Sequence, residues 1–251
     1  MDKHSIKPSE SFVTGMQESK EHNHVPFAIV EAYKTIRTNL MFVFSQSKTK
    51  KVVISSCNIG EGKSTTVVNI AIAFAQLGSK VLLIDADMRR PSIHKKMKIS
   101  NTKGLSSILV GFCDTDDAIT AVNSCLDIMP SGPIPPNPSE LLGGEKMNEL
   151  LDELGEKYEY IFIDTPPINI VSDSLVLASK TDGIVFIIQD LITTHDEVKK
   201  ALGSIELANV KLLGAVVNGS TKSKRSSYRR NYMIGGGKYA YQYYSYGYGS
   251  K

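Results

Sequence analysis

Short apolar runs recur along the chain, separated mostly by stretches with helical periodicity. KVVISS (51–56), KVLLID (80–85), LDIMPS (126–131), YIFID (160–164), GIVFII (183–188) and KLLGAVVN (211–218) are largely apolar at consecutive rather than alternate positions. That is the pattern of parallel strands buried on both faces. The alternation with helices predicts an α/β fold, a doubly wound and mostly parallel sheet. Upstream, VPFAIVEAYKTIRTNLMFVFS sets Ile29, Ala32, Tyr33, Ile36, Leu40 and Phe44 at three- and four-residue steps, an amphipathic helix with one stripe on a core. Glu31, Lys34 and Arg37 fall on another shared strip of that helix. Residues 1–25 are polar and aperiodic, which predicts a mobile arm, and from Ser220 onward the apolar periodicity stops. Residues 220–251 lack the aliphatic bulk to offset the entropy of ordering, so a disordered tail is expected.

Composition narrows this picture. A chain of 251 residues with 41% hydrophobic content suits one soluble α/β domain. No apolar run approaches the roughly eighteen residues that cross a bilayer, and the N-terminus lacks a secretory pattern, so a cytoplasmic location is expected. Cys57, Cys113 and Cys125 are odd in number and lack metal-ligand spacing, which predicts isolated thiols. The net charge of +3 hides a division. Residues 1–221 carry 22 basic and 26 acidic groups, a net of −4, whereas Lys222, Lys224, Arg225, Arg229, Arg230, Lys238 and Lys251 give the remainder +7 with no acid. Such a tail seeks an anionic partner. Eight of the eleven tyrosines lie in the same segment, interleaved with glycine and serine.

Candidate chemistry begins where the first strand stops. CNIGEGKST (57–65) sits between a strand and the helix predicted from Ser64 to about Gln76, the place of a phosphate-binding loop. Gly60 and Gly62 free backbone N–H groups to turn around phosphates, with Glu61 and Thr65 in the same ATP-binding stretch. Lys63 can reach the β- and γ-phosphates, and the Ser64 hydroxyl can bind Mg²⁺. Cys57 stands where the usual motif has its first glycine, so the match is incomplete; the plainer alternative is a glycine-rich turn before a helix. VLLIDAD ends the second strand with Asp85 and Asp87, and YIFIDTPP ends the fourth with Asp164. Acids at the carboxyl ends of parallel strands face the ligand crevice. Asp164 reads as the Mg²⁺-holding acid of a Walker B motif. Asp85 and Asp87 could divide metal binding from proton abstraction, Asp87 serving otherwise as a helix cap.

With VLLIDADMRRP as an additional Walker-type motif, together with CNIGEGKST, YIFIDTPP, SGPIPPNPSELL and the terminal tyrosines, the chain resembles the bacterial tyrosine kinases (BY-kinases) of the capsule and exopolysaccharide type. The resemblance spans roughly residues 28–251. The H-R-D and D-F-G signatures of eukaryotic kinases are absent. It implies a P-loop kinase domain over 26–219, related to partitioning-type ATPases, with ATP and Mg²⁺ as cofactors. Its catalytic residues would be Lys63, Asp85 and Asp87, its metal ligands Ser64, Asp85 and Asp164, and Asn218 would contact adenine. In the firmicute form the implied enzyme is an autokinase that phosphorylates its own tail, here Tyr228, Tyr232, Tyr239, Tyr241, Tyr243, Tyr244, Tyr246 and Tyr248. Implied partners are a transmembrane activator of the polysaccharide chain-length regulator type, a protein-tyrosine phosphatase, and further copies of the chain in a ring, an octamer being the candidate size. The family's E-x-x-R-x-x-R interface pattern reads Glu31, Lys34, Arg37 here, with lysine in place of the first arginine.

Two other classes compete. Partitioning and division-site ATPases share the loop but carry a signature lysine at its second position, where this chain has Asn58. A basic, aromatic tail could also stack on single-stranded nucleic acid, yet that leaves the phosphate loop without a purpose, so no nucleic acid is expected. SGPIPPNPSELL reads as a rigid turn before a helix at 138–153. His94 and His195 read as surface residues, and Arg89 and Arg90 as contacts to phosphate or to solvent.

Overall fold

The computed structural model describes residues 26–44 and 50–220. The arm expected over 1–25 and the tyrosine-bearing segment beyond Ser220 lie outside those residues. The sheet has seven strands in spatial order β3-β4-β2-β5-β1-β6-β7. They are β1 (Lys50–Ser56), β2 (Val81–Asp85), β3 (Thr120–Ala121), β4 (Leu126–Met129), β5 (Tyr160–Asp164), β6 (Gly183–Gln189) and β7 (Leu212–Asn218). Six pair in parallel, and β3 runs antiparallel at the edge against β4. The doubly wound expectation holds. A two-residue strand has no period to read, so β3 was not legible beforehand. β4 stops short of the expected Ser131 because Pro130 has no N–H to give the ladder.

Helices cover both faces of the sheet. They are α1 (Phe27–Val43), α2 (Lys63–Ala75), α3 (Ile93–Met97), α4 (Leu105–Leu109), α5 (Pro138–Gly143), α6 (Glu145–Lys157), α7 (Asp173–Ala178) and α8 (His195–Leu207). The single helix expected over 138–153 is two, because the chain is extended at Gly144 between Gly143 and Glu145. Glycine is a poor helix interior residue, and two in succession break the run. α8 starts on a capping box: the Thr194 hydroxyl accepts the Glu197 N–H, and the Glu197 carboxylate accepts the Thr194 N–H.

Alternate residues of each central strand enter opposite cores. Val52, Ile54, Leu83 and Phe162 pack under α1 and α2, while Val53, Leu82, Ile84, Ile161 and Ile163 pack against the other face. That two-sided burial is why these runs read as continuously apolar. The Phe74 ring of α2 packs tilted at 4.5 Å from Tyr160 and 5.1 Å from Phe162, centroid to centroid, and Phe44 joins them from the end of α1. Cutting Phe162 to alanine would cost about 3–5 kcal/mol, the usual range for a buried aromatic. α1 docks through Tyr33, Ile36, Leu40, Val43 and Phe44, but Ala32 of the expected stripe is exposed.

Candidate active site

The centre of the sheet, β2-β5-β1, brings the three informative strand ends side by side. Asp85 and Asp164 are register partners, and the chain leaving β1 enters the glycine loop next to them. Gly60 and Gly62 have φ of 88° and 86°, left-handed values that a side chain would strain. A Cβ at Gly62 would also lie 2.1 Å from Asn218 Nδ2, so the loop needs glycine there for space as well.

Glu61 turns back into the protein rather than toward the pocket. It is buried, its Oε2 accepts the Asn58 N–H at 3.0 Å, and its Oε1 accepts the Thr193 hydroxyl at 2.6 Å. The Glu61 carbonyl accepts Asn218 Nδ2 at 3.0 Å. Thr193, between β6 and α8, and Asn218, at the end of β7, therefore brace the loop through Glu61, and of Glu61 only the backbone is left for phosphate. The Asn218 side chain is already spent on Glu61 and Gly219, which differs from the adenine contact expected of it. Asn58, at the signature-lysine position, is tied inward on Glu61. Cys57 fills the motif's first glycine position with a buried thiol, pushed up to about 12 by burial first and then by Glu61 and Glu197. Cys113 and Cys125 are also free.

Lys63, the first residue of α2, lies between two acids. Its ammonium donates to Asp87 Oδ2 at 2.8 Å and, more weakly, to Asp164 Oδ1 at 3.5 Å. Burial works against its charge, but Asp164 and Asp87 outweigh burial and hold its pKa above the ordinary lysine value. Asp164 is completely buried, and burial raises its pKa against the pull of Lys63 and the Ser64 hydroxyl. Its second oxygen, Oδ2, has no hydrogen-bond partner among the described residues.

Asp85 and Asp87 are held by different partners. Asp85 is saturated by backbone: Oδ2 accepts the Ser92 and Ile93 N–H groups at 3.0 Å, and Oδ1 accepts the Asp87 N–H at 3.2 Å. It fixes the turn into α3 and does not line the pocket. Asp87 does line it, with Oδ2 on Lys63 and Oδ1 accepting the Arg90 N–H. Three backbone amides hold the Asp85 carboxylate, whereas Asp87 meets the Lys63 ammonium and the pocket directly.

The pocket itself is about 410 Å³ and is lined by Gly60, Gly62, Lys63, Asp87, Arg89 and Lys96, with Pro166 and Ile170 opposite. Lys96 donates to the Thr65 hydroxyl at 3.0 Å. Arg89 forks onto the buried Asp173, with Nε to Oδ2 at 2.8 Å and Nη2 to Oδ1 at 3.2 Å, and also reaches Ser139 at 3.0 Å. Lys96, Asp173 and Thr193 were missed from the sequence because they belong to no local motif, and Ser139 because SGPIPPNPSELL read only as a rigid turn before a helix. His195 is exposed, but His94 is half-buried, with Nδ1 buried and without a partner among the described residues.

At the proposed ring interface the three residues part company. Lys34 and Glu31 pair at 2.8 Å, half exposed, whereas Arg37 turns onto α2 and donates to the Ala73 carbonyl at 2.8 Å. A shared helical strip was the expectation; the free carbonyls at the end of α2 captured the guanidinium instead.

A bound divalent ion fits this corner. Among the described residues no three His, Cys, Asp or Glu side chains converge as a self-sufficient cage. The unpartnered Asp164 Oδ2 beside Ser64 is the donor set of an ion that arrives with phosphate oxygens.

Residues 49–207 match the AAA_31 family, an AAA domain. Tyrosine-protein kinase YwqD of Bacillus subtilis (strain 168) is 43% identical over 217 residues, covering 86% of this chain and 89% of that protein. The crystal structure of the chimerical protein CapA2B2 superposes with a TM-score of 0.74 at 37% identity, covering 84% of this chain and 91% of the other. MinD, in the MinC:MinD cell division complex of Aquifex aeolicus, is a more distant likeness at 24% identity and a TM-score of 0.55, covering 67% of each chain, and shows a shared fold alone.

Proposed function

The chain belongs to the bacterial tyrosine-protein kinases, and we propose that its reaction is transfer of the γ-phosphoryl group of ATP to tyrosine hydroxyls of its own C-terminal segment. The observation that carries this reading is the juxtaposition of Lys63, Asp87 and the buried Asp164 beside a left-handed glycine loop, with Lys63 and Asp87 lining a pocket that Arg89, Arg90 and Lys96 also line. The loop amides and Lys63 hold the triphosphate, the ammonium exchanging its acid partners for phosphate oxygens. Ser64 and Asp164 are the residues that would hold Mg²⁺, which supplies neutralisation of phosphate charge. A tyrosine hydroxyl, with a pKa near 10, is a weak nucleophile at neutral pH. Asp87 is placed to take its proton as the new P–O bond forms and the bond to the β-phosphate oxygen breaks. Arg89, fixed by Asp173 and Ser139, faces the developing charge.

The reading extends to regulation of capsular or exopolysaccharide synthesis and export, with a transmembrane activator of the chain-length regulator type and a protein-tyrosine phosphatase as partners. Among the described residues no helix is long and apolar enough to cross a membrane, so a partner would supply recruitment to the inner face. Assembly into a ring through α1 is supported by Phe27 and Phe42, 77% and 84% exposed beside the Glu31–Lys34 pair. The test of the reaction is intact mass after incubation with ATP and Mg²⁺. A ladder of added phosphates is expected; nucleotide hydrolysis without added mass would make the chain a simple ATPase and overturn the reading.

A further inference from the structure

Arg89 and Arg90 form a wall of the nucleotide pocket, and that wall has a second side. There a separate cavity of about 560 Å³ is lined by Arg89, Arg90, His94, Lys95, Pro133 and Ile134. No acidic side chain lines it. Arg89 is shared with Asp173, but Arg90 and Lys95 have no acidic partner among the described residues. The opposite wall, the proline loop before α5, is held in place: Asn101 accepts the Gly132 N–H at 2.9 Å and donates to the Gly132 carbonyl at 3.0 Å, and the Ser106 hydroxyl donates to the Pro133 carbonyl at 2.6 Å.

We propose that this cavity binds a phosphotyrosine of the chain's own C-terminal segment, so that a tyrosine already modified seats a neighbouring one in the nucleotide pocket. The inference rests on the tail being the acceptor. Three observations select this occupant. Two free cations and a guanidinium suit a phosphate dianion, while Pro133 and Ile134, the latter 65% exposed, give an aromatic ring apolar surface. The unmodified segment has seven basic residues and no acid, so a cationic cavity repels it; each phosphate adds roughly −1.5 to −2 and reverses that locally. Tyr239, Tyr241 and Tyr243, and again Tyr244, Tyr246 and Tyr248, recur in steps of two. In extended chain such residues point to one side about 7 Å apart, so a phosphorylated ring and the next hydroxyl can straddle a shared wall. The first transfer is then slow and later ones faster.

The direct test is anisotropy binding of a labelled peptide of residues 238–248, phosphorylated at Tyr243 or unmodified, to the dephosphorylated full chain. Phosphorylation should tighten binding by about tenfold or more, and Lys95→Glu, on an exposed position outside the catalytic corner, should abolish the gain. Phosphoserine in the same peptide and inorganic phosphate should compete only at about tenfold higher concentration, lacking the ring. With ATP and Mg²⁺, Lys95→Glu should acquire its first phosphate at the wild-type rate and then accumulate singly modified chains. Equal affinity for the two peptides, equal competition by inorganic phosphate, or an unchanged phosphate ladder in Lys95→Glu would each overturn the inference. A wild-type chain that gains no phosphate would instead sink the autokinase reading, while the peptide measurement would still judge the cavity.

Discussion

The loop after β1 and the helix α1 are two of the regions that the sequence singles out for function, and they are built in opposite ways. Around the loop nearly every polar side chain is engaged: Glu61 by Asn58 and Thr193, Asp85 by three amides, Lys63 by two acids, Arg89 by Asp173. α1 keeps Phe27 and Phe42 in solvent and has a single half-exposed ion pair on its outer strip. Chemistry on a highly charged phosphate needs its donors fixed before the substrate arrives, since reorganising them would add to the barrier. A surface for assembly needs only area and leaves its ordering to the moment of contact.

Four experiments stress this contrast, beginning with the most damaging. Lys63→Met should lower phosphate incorporation by about a thousandfold or more while circular dichroism stays that of the wild type. Incorporation within tenfold of wild type would remove the loop from the reaction. Glu61→Ala leaves the Asn58 N–H and the Thr193 hydroxyl without their acceptor and should cost about 2–3 kcal/mol in denaturant unfolding, with Glu61→Gln recovering part of it. An unchanged midpoint would mean that the brace carries no strain of the loop.

The third experiment uses pH. Burial first, and then the neighbouring Asp164, push Asp85 up to about 7, and burial raises Asp164 as well. A carboxyl whose folded pKa is raised binds protons more tightly folded than unfolded. Its contribution is therefore complete below the ordinary aspartate value near 4 and is lost as pH rises through the folded value. The nucleotide-free chain should melt about 2–4 °C lower at pH 8 than at pH 5.5 from this source, and Asp164→Asn should flatten the difference. A variant as pH-sensitive as wild type would place the titration elsewhere. The smallest effect belongs to α1. The double change Lys34→Ala, Phe42→Ala should alter unfolding by no more than about 0.5 kcal/mol, because both residues are substantially exposed, yet reduce the mass seen by light scattering. An unchanged mass would refute an interface role.

The sheet and the position of the phosphate loop were legible in the chain because both are written locally. Two-sided burial makes a strand continuously apolar, and a left-handed turn demands glycine at Gly60 and Gly62 whatever surrounds it. Tertiary structure alone decided how side chains of the same type divide their work. Asp85 and Asp87 look equivalent two residues apart, yet the amides entering α3 saturate one and leave the other facing Lys63. Arg37 looks like part of an outer strip until the end of α2 offers it a carbonyl. Thr193 and Asp173 carry no motif, and they matter because folding brings them within hydrogen-bonding distance of Glu61 and Arg89, respectively 132 and 84 positions away. Hydrogen bonds are short-ranged and directional, so their partners are chosen by where the backbone has already been carried, which no local pattern records.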